Sequence, residues 1–139
     1  MRCPYGRPAV IEQPAYLPDG TPFPTTYYLT CPHAAERIAA LEAAGGVDRY
    51  ERLVASDPVA AAEYRAGAKR QHELRRPGAR MADAGASVAL GIGGTSREGA
   101  VKCLHAHAAF ALAQPGYALG GRMVAEAAPL YPAQECCTP

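Results

Sequence analysis

The sequence predicts an α+β fold, mostly helical, with an N-terminal two-stranded β-hairpin packed on about four helices. Two observations predict it: β-branched and aromatic runs flank a turn before residue 31, and segments with helical spacing and caps follow. The 139 residues have the length of one domain. We expect this domain to span residues 1–128, and we expect the proline-bounded residues 129–139 to form a flexible tail.

The predicted hairpin pairs Ala9–Gln13 with Thr25–Thr30 in antiparallel fashion. Between these strands, Leu17–Gly20 reads LPDG and has the residue types of a turn. Because prolines interrupt the segment and cannot donate to a ladder, we expect the strands to be short. Antiparallel pairing returns Cys31 to the neighbourhood of Cys3.

Four helices and a last short one are predicted after the hairpin. Their expected ranges are His33–Ala44, Val47–Ala55, Pro58 to about Arg75, about Ser96–Ala113, and Gly120–Ala128. Asp57 is the expected N-cap of the third helix, because Pro58 follows it at the first helical position. The glycine-rich segment Pro77–Gly94 is predicted to be a loop, with a short strand at Ser87–Leu90.

Charge and hydropathy narrow the classes of partner. A formal net charge of +1 gives no electrostatic case for binding nucleic acid or an anionic membrane surface. No run of residues approaches the roughly 20 apolar positions of a membrane span, and the N-terminus lacks the apolar core of a signal peptide. We therefore expect a cytoplasmic protein with no membrane contact, whose macromolecular partner, if it has one, is a protein.

Cysteine and histidine residues mark the candidate site. In a reducing cytoplasm the five cysteines are more readily ligands or free thiols than disulfides. Cys103, His105 and His107 are close in sequence, and mixed Cys and His donors suit zinc. A regular helix places Cys103 and His107 on one face and turns His105 away by about 200°. A loosened first turn would instead let His105 meet Cys103.

Other interpretations of the thiols stay open at this point. Cys3 and Cys31 can be buried structural thiols or form a disulfide across the hairpin. Cys103, next to two histidines at a helix start, has the setting of a catalytic thiolate. Cys136 and Cys137 lie in the predicted tail, where we do not expect ligands.

Two segments, PFPTTYYLTCP at residues 22–32 and VKCLH at residues 101–105, are the most specific parts of a resemblance that covers most of residues 2–120. The chain resembles the actinobacterial domain-of-unknown-function family 501, and the helix end Leu41-Glu42-Ala43 is also similar. Family members carry cysteine at the Cys3 position, cysteine or histidine at the Cys31 position, and Cys-x-His at Cys103 and His105. Exchange between these two donors is what a zinc ligand tolerates.

The resemblance implies a metal site formed by Cys3, Cys31, Cys103 and His105, with His107 as the alternate ligand. Zinc is the predicted ion, and an iron–sulfur cluster is less favoured. The predicted function is a binding or adaptor role around a structural zinc site. The alternative is an enzyme that uses a Cys–His pair or an open metal position for thiol or hydrolytic chemistry.

Overall fold

The computed structural model describes residues 1–76 and 89–137. Within these ranges a two-stranded antiparallel sheet precedes five α-helices, which confirms the predicted fold class. The elements in chain order are β1 (Val10–Glu12), β2 (Tyr27–Leu29), α1 (Pro32–Ala43), α2 (Gly46–Ser56), α3 (Pro58–Arg75), α4 (Leu104–Ala113) and α5 (Ala118–Glu126).

The hairpin forms as predicted, with strands of three residues each. Ile11 pairs with Tyr28, and the pairs on either side keep the same antiparallel register. The predicted turn is present: the Gly20 N–H donates to the Leu17 carbonyl over 2.9 Å, with Gly20 at φ 88°. Glycine reaches this left-handed conformation without the steric penalty of a side chain.

Asp57 caps α3 as the sequence predicts. Its Oδ1 accepts a hydrogen bond from the Val59 N–H over 2.9 Å, and Pro58 occupies the first helical position. The carboxylate thereby satisfies one of the N–H groups that a helix leaves unpaired at its start.

Replacing Asp57 by alanine is therefore expected to lower the free energy of unfolding by about 1 kcal/mol. Urea unfolding followed by circular dichroism measures this difference. Asp57→Asn is the matched control, since its amide oxygen can still accept from Val59, and it should stay within a few tenths of the wild-type value. Equal loss in both variants would contradict a capping role.

Helix α4 occupies the centre of the fold. Seven of its ten residues are buried, and it packs against α5, α1 and both strands. The ring of Phe110 lies edge-on between Tyr27 and Tyr117, with centroids 5.5 Å and 5.6 Å away. Because α4 is apolar on nearly every side, we expect solvent-accessible polar side chains at its two ends.

The start of α4 differs from the sequence expectation. The helix begins at Leu104, not near Ser96. Gly94 and Gly99 have φ angles of 74° and 75°, which are incompatible with a right-handed helix. The backbone between these glycines and the helix is instead held by a carboxylate from α2, because Glu51 Oε1 accepts from the Val101 N–H over 3.1 Å.

The chain after α5 contacts the body of the protein. Leu130 is buried, and its carbonyl lies 3.0 Å from Nδ1 of His33 on α1. The Tyr5 hydroxyl donates to the Pro132 carbonyl. The domain boundary at residue 128 stays a prediction. Most of the predicted loop Pro77–Gly94 and the first half of its predicted strand Ser87–Leu90 lie outside the described residues, and residues 89–94, which are described, form neither helix nor strand.

None of the helices in the described ranges has the length and apolar character that crossing a lipid bilayer requires.

Candidate metal centre

Three side chains from two elements meet at the start of α4. One ligand atom each from Glu42, Cys103 and His105 lies within 4.8 Å of the others. Glu42 belongs to the last turn of α1, Cys103 is the N-cap of α4, and His105 is its second residue. Among the described residues, this is the group of His, Cys, Asp and Glu side chains close enough to hold a metal ion.

The backbone at Cys103 explains why it meets His105. Cys103 has φ −157° and ψ 118°, so it is extended and not part of the helix. The facing of residues four apart holds only within a regular helix, and it does not apply across this junction. The structure thus brings Cys103 together with His105, the arrangement that a loosened first turn allows.

His105 is oriented by contacts at both ring nitrogens. Nε2 lies 3.1 Å from the carbonyl oxygen of Ala35, and Nδ1 lies 3.2 Å from Oε1 of Glu42. With Nε2–H donating to Ala35, the Nδ1 lone pair faces a carboxylate oxygen, and two acceptors repel unless a cation lies between them. A proton or a metal ion can fill this role. A histidine that donates one N–H to a backbone carbonyl while its other nitrogen binds metal is a common arrangement.

The distance between Nδ1 and Oε1 fits a bound zinc ion. Bond lengths near 2.0–2.1 Å and tetrahedral angles separate a nitrogen ligand and an oxygen ligand by roughly 3.3 Å. The 3.2 Å between His105 and Glu42 is close to this value. The same distance is also within the roughly 2.7–3.2 Å range of an N–H···O hydrogen bond, so a proton satisfies it as well.

Glu42 also holds the helix to which the other two ligands belong. Its Oε1 accepts from the Leu104 N–H over 2.7 Å, so the carboxylate caps α4 in place of a side chain from α4 itself. A carboxylate has about four lone-pair sites, and capping one N–H leaves it able to bind a metal. The negative charge is also favoured at the positive end of the helix dipole.

The Cys103 thiol is protonated at neutral pH when no metal is bound. Burial raises its pKa above the ordinary value and Glu42 raises it further, while the backbone N–H of Ala106 acts in the opposite direction. This environment opposes a free catalytic thiolate. A divalent cation would reverse the balance, since it replaces the thiol proton and is attracted to the same carboxylate.

A cavity of about 330 Å³ adjoins the centre. Cys103 and His105 are among its lining residues, and the rest of the lining comes from β2, Thr25 just before it, Gly93 and α4. The other lining residues are Thr25, Tyr27, Tyr28, Leu29, Gly93 and Ala106. Two of the three candidate ligands therefore border space that a small molecule can enter.

Cys3 and Cys31, the other two predicted ligands, lie outside this group. Both are buried, and Cys31 is the N-cap of α1. The Cys31 sulfur lies 3.5 Å from the sulfur of Cys137, and burial raises the pKa of Cys31. Burial raises the pKa of Tyr131, and the charges of Cys31 and Cys3 raise it further. All five cysteines fall within the described residues, and none of them forms a disulfide.

His107, the predicted alternate ligand, is fully buried inside the core. Its Nδ1 lies 2.6 Å from the Tyr117 hydroxyl, and its ring lies between those of Tyr64 and Tyr117. Nε2 has no hydrogen-bond partner among the described residues. Burial lowers the pKa of His107 to about 4, so the ring is neutral at neutral pH.

Sequence reasoning missed Glu42 as a site residue. At the end of a helix, a glutamate is usually a solvated side chain, and nothing local distinguishes this one. One signal could have identified it. The Leu41-Glu42-Ala43 segment is similar to the family, although Glu42 has no evident structural role in its own helix.

Comparison with family models finds a match over residues 1–126, to a family described as "Protein of unknown function (DUF501)". Glu42, Cys103 and His105 all lie within the matched range. The comparison with curated proteins finds no match, and neither does the comparison with solved structures. Because the family model covers nearly the whole chain of 139 residues, the protein belongs to the DUF501 family.

Proposed function

We propose that this protein binds one zinc ion through Glu42, Cys103 and His105. The single observation that supports this proposal is the convergence of a carboxylate, a thiol and an imidazole within 4.8 Å at the start of α4. The Nδ1–Oε1 distance and the Ala35 contact of His105 support it further. The ion would link the end of α1 to the start of α4.

The donor set favours zinc over other common ions. Mg²⁺ and Ca²⁺ prefer oxygen ligands, which makes a thiol and an imidazole poor partners for them. Iron–sulfur clusters are held mainly by several cysteine thiolates, and this group contains one sulfur. One sulfur, one nitrogen and one oxygen donor are all ordinary zinc ligands.

A metal at this position would stabilise the junction between two helices and leave the surface available for recognition. A stabilised junction with a free surface is consistent with a binding or adaptor role. We propose that the protein has this role in the cytoplasm. The net charge of +1 favours a protein over a nucleic acid as the partner.

A second candidate function is a zinc-dependent enzyme, and the cavity favours it. Catalytic zinc sites have three protein ligands and keep the fourth position for water or substrate. Cys103 and His105 both line the 330 Å³ cavity. A zinc-bound water facing that space would have a lowered pKa and could act as a nucleophile in hydrolysis.

Zinc titration of the purified, metal-free protein tests the proposal. We expect wild type to bind about one equivalent, and Glu42→Gln, Cys103→Ser and His105→Ala each to weaken the affinity by 10- to 100-fold or more. Isothermal titration calorimetry measures the affinity. Thermal denaturation provides a second readout, because zinc at about 100 times its dissociation constant adds about 2.7 kcal/mol of stability.

Cysteine variants outside the group serve as controls. They also distinguish the set of Glu42, Cys103 and His105 from the four ligands that the resemblance implies. Cys136→Ser should bind zinc as wild type does. Cys3→Ser and Cys31→Ser should also keep the affinity if Glu42 is the third ligand, and should lose it if the ligands that the resemblance implies hold the ion. If the Cys103→Ser variant and the His105→Ala variant both bind zinc as tightly as wild type, the proposed metal centre is wrong.

A further inference from the structure

We infer that the zinc centre has an open coordination position that binds a small neutral molecule through one oxygen or nitrogen donor. The aromatic or apolar body of that molecule would occupy the adjoining cavity. The inference rests on the proposed zinc binding and names the class of ligand that the site takes. Three observations carry it: the number of protein ligands, the position of the cavity, and the charge of its lining.

The described residues supply one ligand fewer than tetrahedral zinc requires. Glu42, Cys103 and His105 provide three donors, and within the described residues no further His, Cys, Asp or Glu joins this group. Structural zinc sites are closed by four protein ligands, whereas sites with three leave a position for water or substrate. The fourth donor of this centre therefore comes from outside the group.

The cavity adjoins two of the three ligand residues. Cys103 and His105 border it, while Glu42 approaches from α1 and is not among the lining residues. We therefore expect an outside ligand to approach the ion through this cavity. At about 330 Å³ the cavity is at the small end of the range for small-molecule sites, which is roughly 300–1,000 Å³.

Charge decides which molecules suit the site. Zinc bound by one carboxylate, one thiolate and a neutral imidazole has no net charge, so the overall charge of the centre does not favour an anionic donor over a neutral one. The described lining outside the centre carries no lysine, arginine, aspartate or glutamate. A charged ligand would lose hydration there without gaining a partner. Tyr28 is 47% exposed at the cavity and offers an aromatic ring to a flat apolar body.

Cobalt substitution tests the inference, because the visible spectrum of Co²⁺ reports its coordination. The cobalt-loaded protein is titrated with imidazole and with 4-phenylimidazole, which share a donor and differ by an aromatic ring. We expect both to change the spectrum, and 4-phenylimidazole to bind about 10-fold more tightly because its ring is buried in the cavity.

Two variants locate the added affinity. Tyr28→Ala should remove most of the 10-fold preference without affecting cobalt binding. Ile11→Ala is the matched control, since Ile11 pairs with Tyr28 across the hairpin, is 38% exposed, and lies outside the cavity lining. It should keep the preference.

Each failure has a different signature. A protein that binds cobalt but whose spectrum responds to neither azole has a closed centre, and the inference is wrong while zinc binding stands. Equal affinity for the two azoles in wild type also overturns it, because the cavity then contributes nothing. A protein that binds no cobalt and no zinc refutes the proposed function itself.

Discussion

Replacing Phe110 by alanine is expected to lower the free energy of unfolding by about 3–5 kcal/mol. Phe110 is 1% exposed in the middle of α4 and is the largest fully buried side chain of the described residues. Its ring makes edge-on contacts with Tyr27 of β2 and Tyr117 just before α5. Removal of the ring leaves a cavity where the hairpin and two helices meet. The cost of this cavity and of the lost ring contacts adds to the lost transfer free energy of the ring.

The second phenylalanine of the chain is the matched control. Phe23 is only half-buried and stacks on Tyr28, whose centroid is 5.9 Å away. Because part of its surface already faces solvent, Phe23→Ala should cost less, about 1 kcal/mol. Urea unfolding of both variants measures the difference, and similar losses would show that Phe110 is not at the centre of the core.

Replacing Gly120 by alanine is expected to destabilise the protein by about 1–3 kcal/mol. A Cβ atom at this position would lie 2.6 Å from the backbone oxygen of His107 and 2.7 Å from the Tyr117 ring. The carbonyl belongs to α4 and cannot rotate away as a side chain would. The substitution therefore forces α5 away from α4.

At the adjacent glycine, Gly121, we expect alanine to change the stability in the opposite direction. Gly121 lies in the same helix and is exposed, and a methyl group on its Cα would meet no atom within 4 Å. Alanine there should stabilise the protein by about 0.5–1 kcal/mol through helix propensity and reduced freedom of the unfolded chain. Thermal denaturation of both variants tests the pair. A loss at Gly121 as large as that at Gly120 would contradict a steric origin.

Local signals accounted for most of the secondary structure. The turn around Gly20, the Asp57 cap and Pro58 at the first position of α3 all depend on residues close in sequence. Such features are predictable because the interacting groups are only a few bonds apart. Strand lengths were less predictable, since pairing in a hairpin depends on the register and on where prolines fall.

The start of α4 could not be predicted from its own sequence. The residues from Ser96 onward have helical spacing, but Gly99 has a positive φ and Glu51 and Glu42 bind the backbone at Val101 and Leu104. These carboxylates are 50 and 62 positions away in the chain. No local pattern reveals a cap that another helix supplies.

The sequence predicted the fold class and the order of the elements, and the family resemblance implied Cys103 and His105 as ligands. Only the tertiary structure brought Glu42 to them, and Cys3, Cys31 and His107 lie outside the group that it forms. The physical reason is that secondary structure follows from periodicity and caps within a few residues. A metal centre depends on which helix ends meet, and that is decided by how α1 and α4 bury their apolar faces.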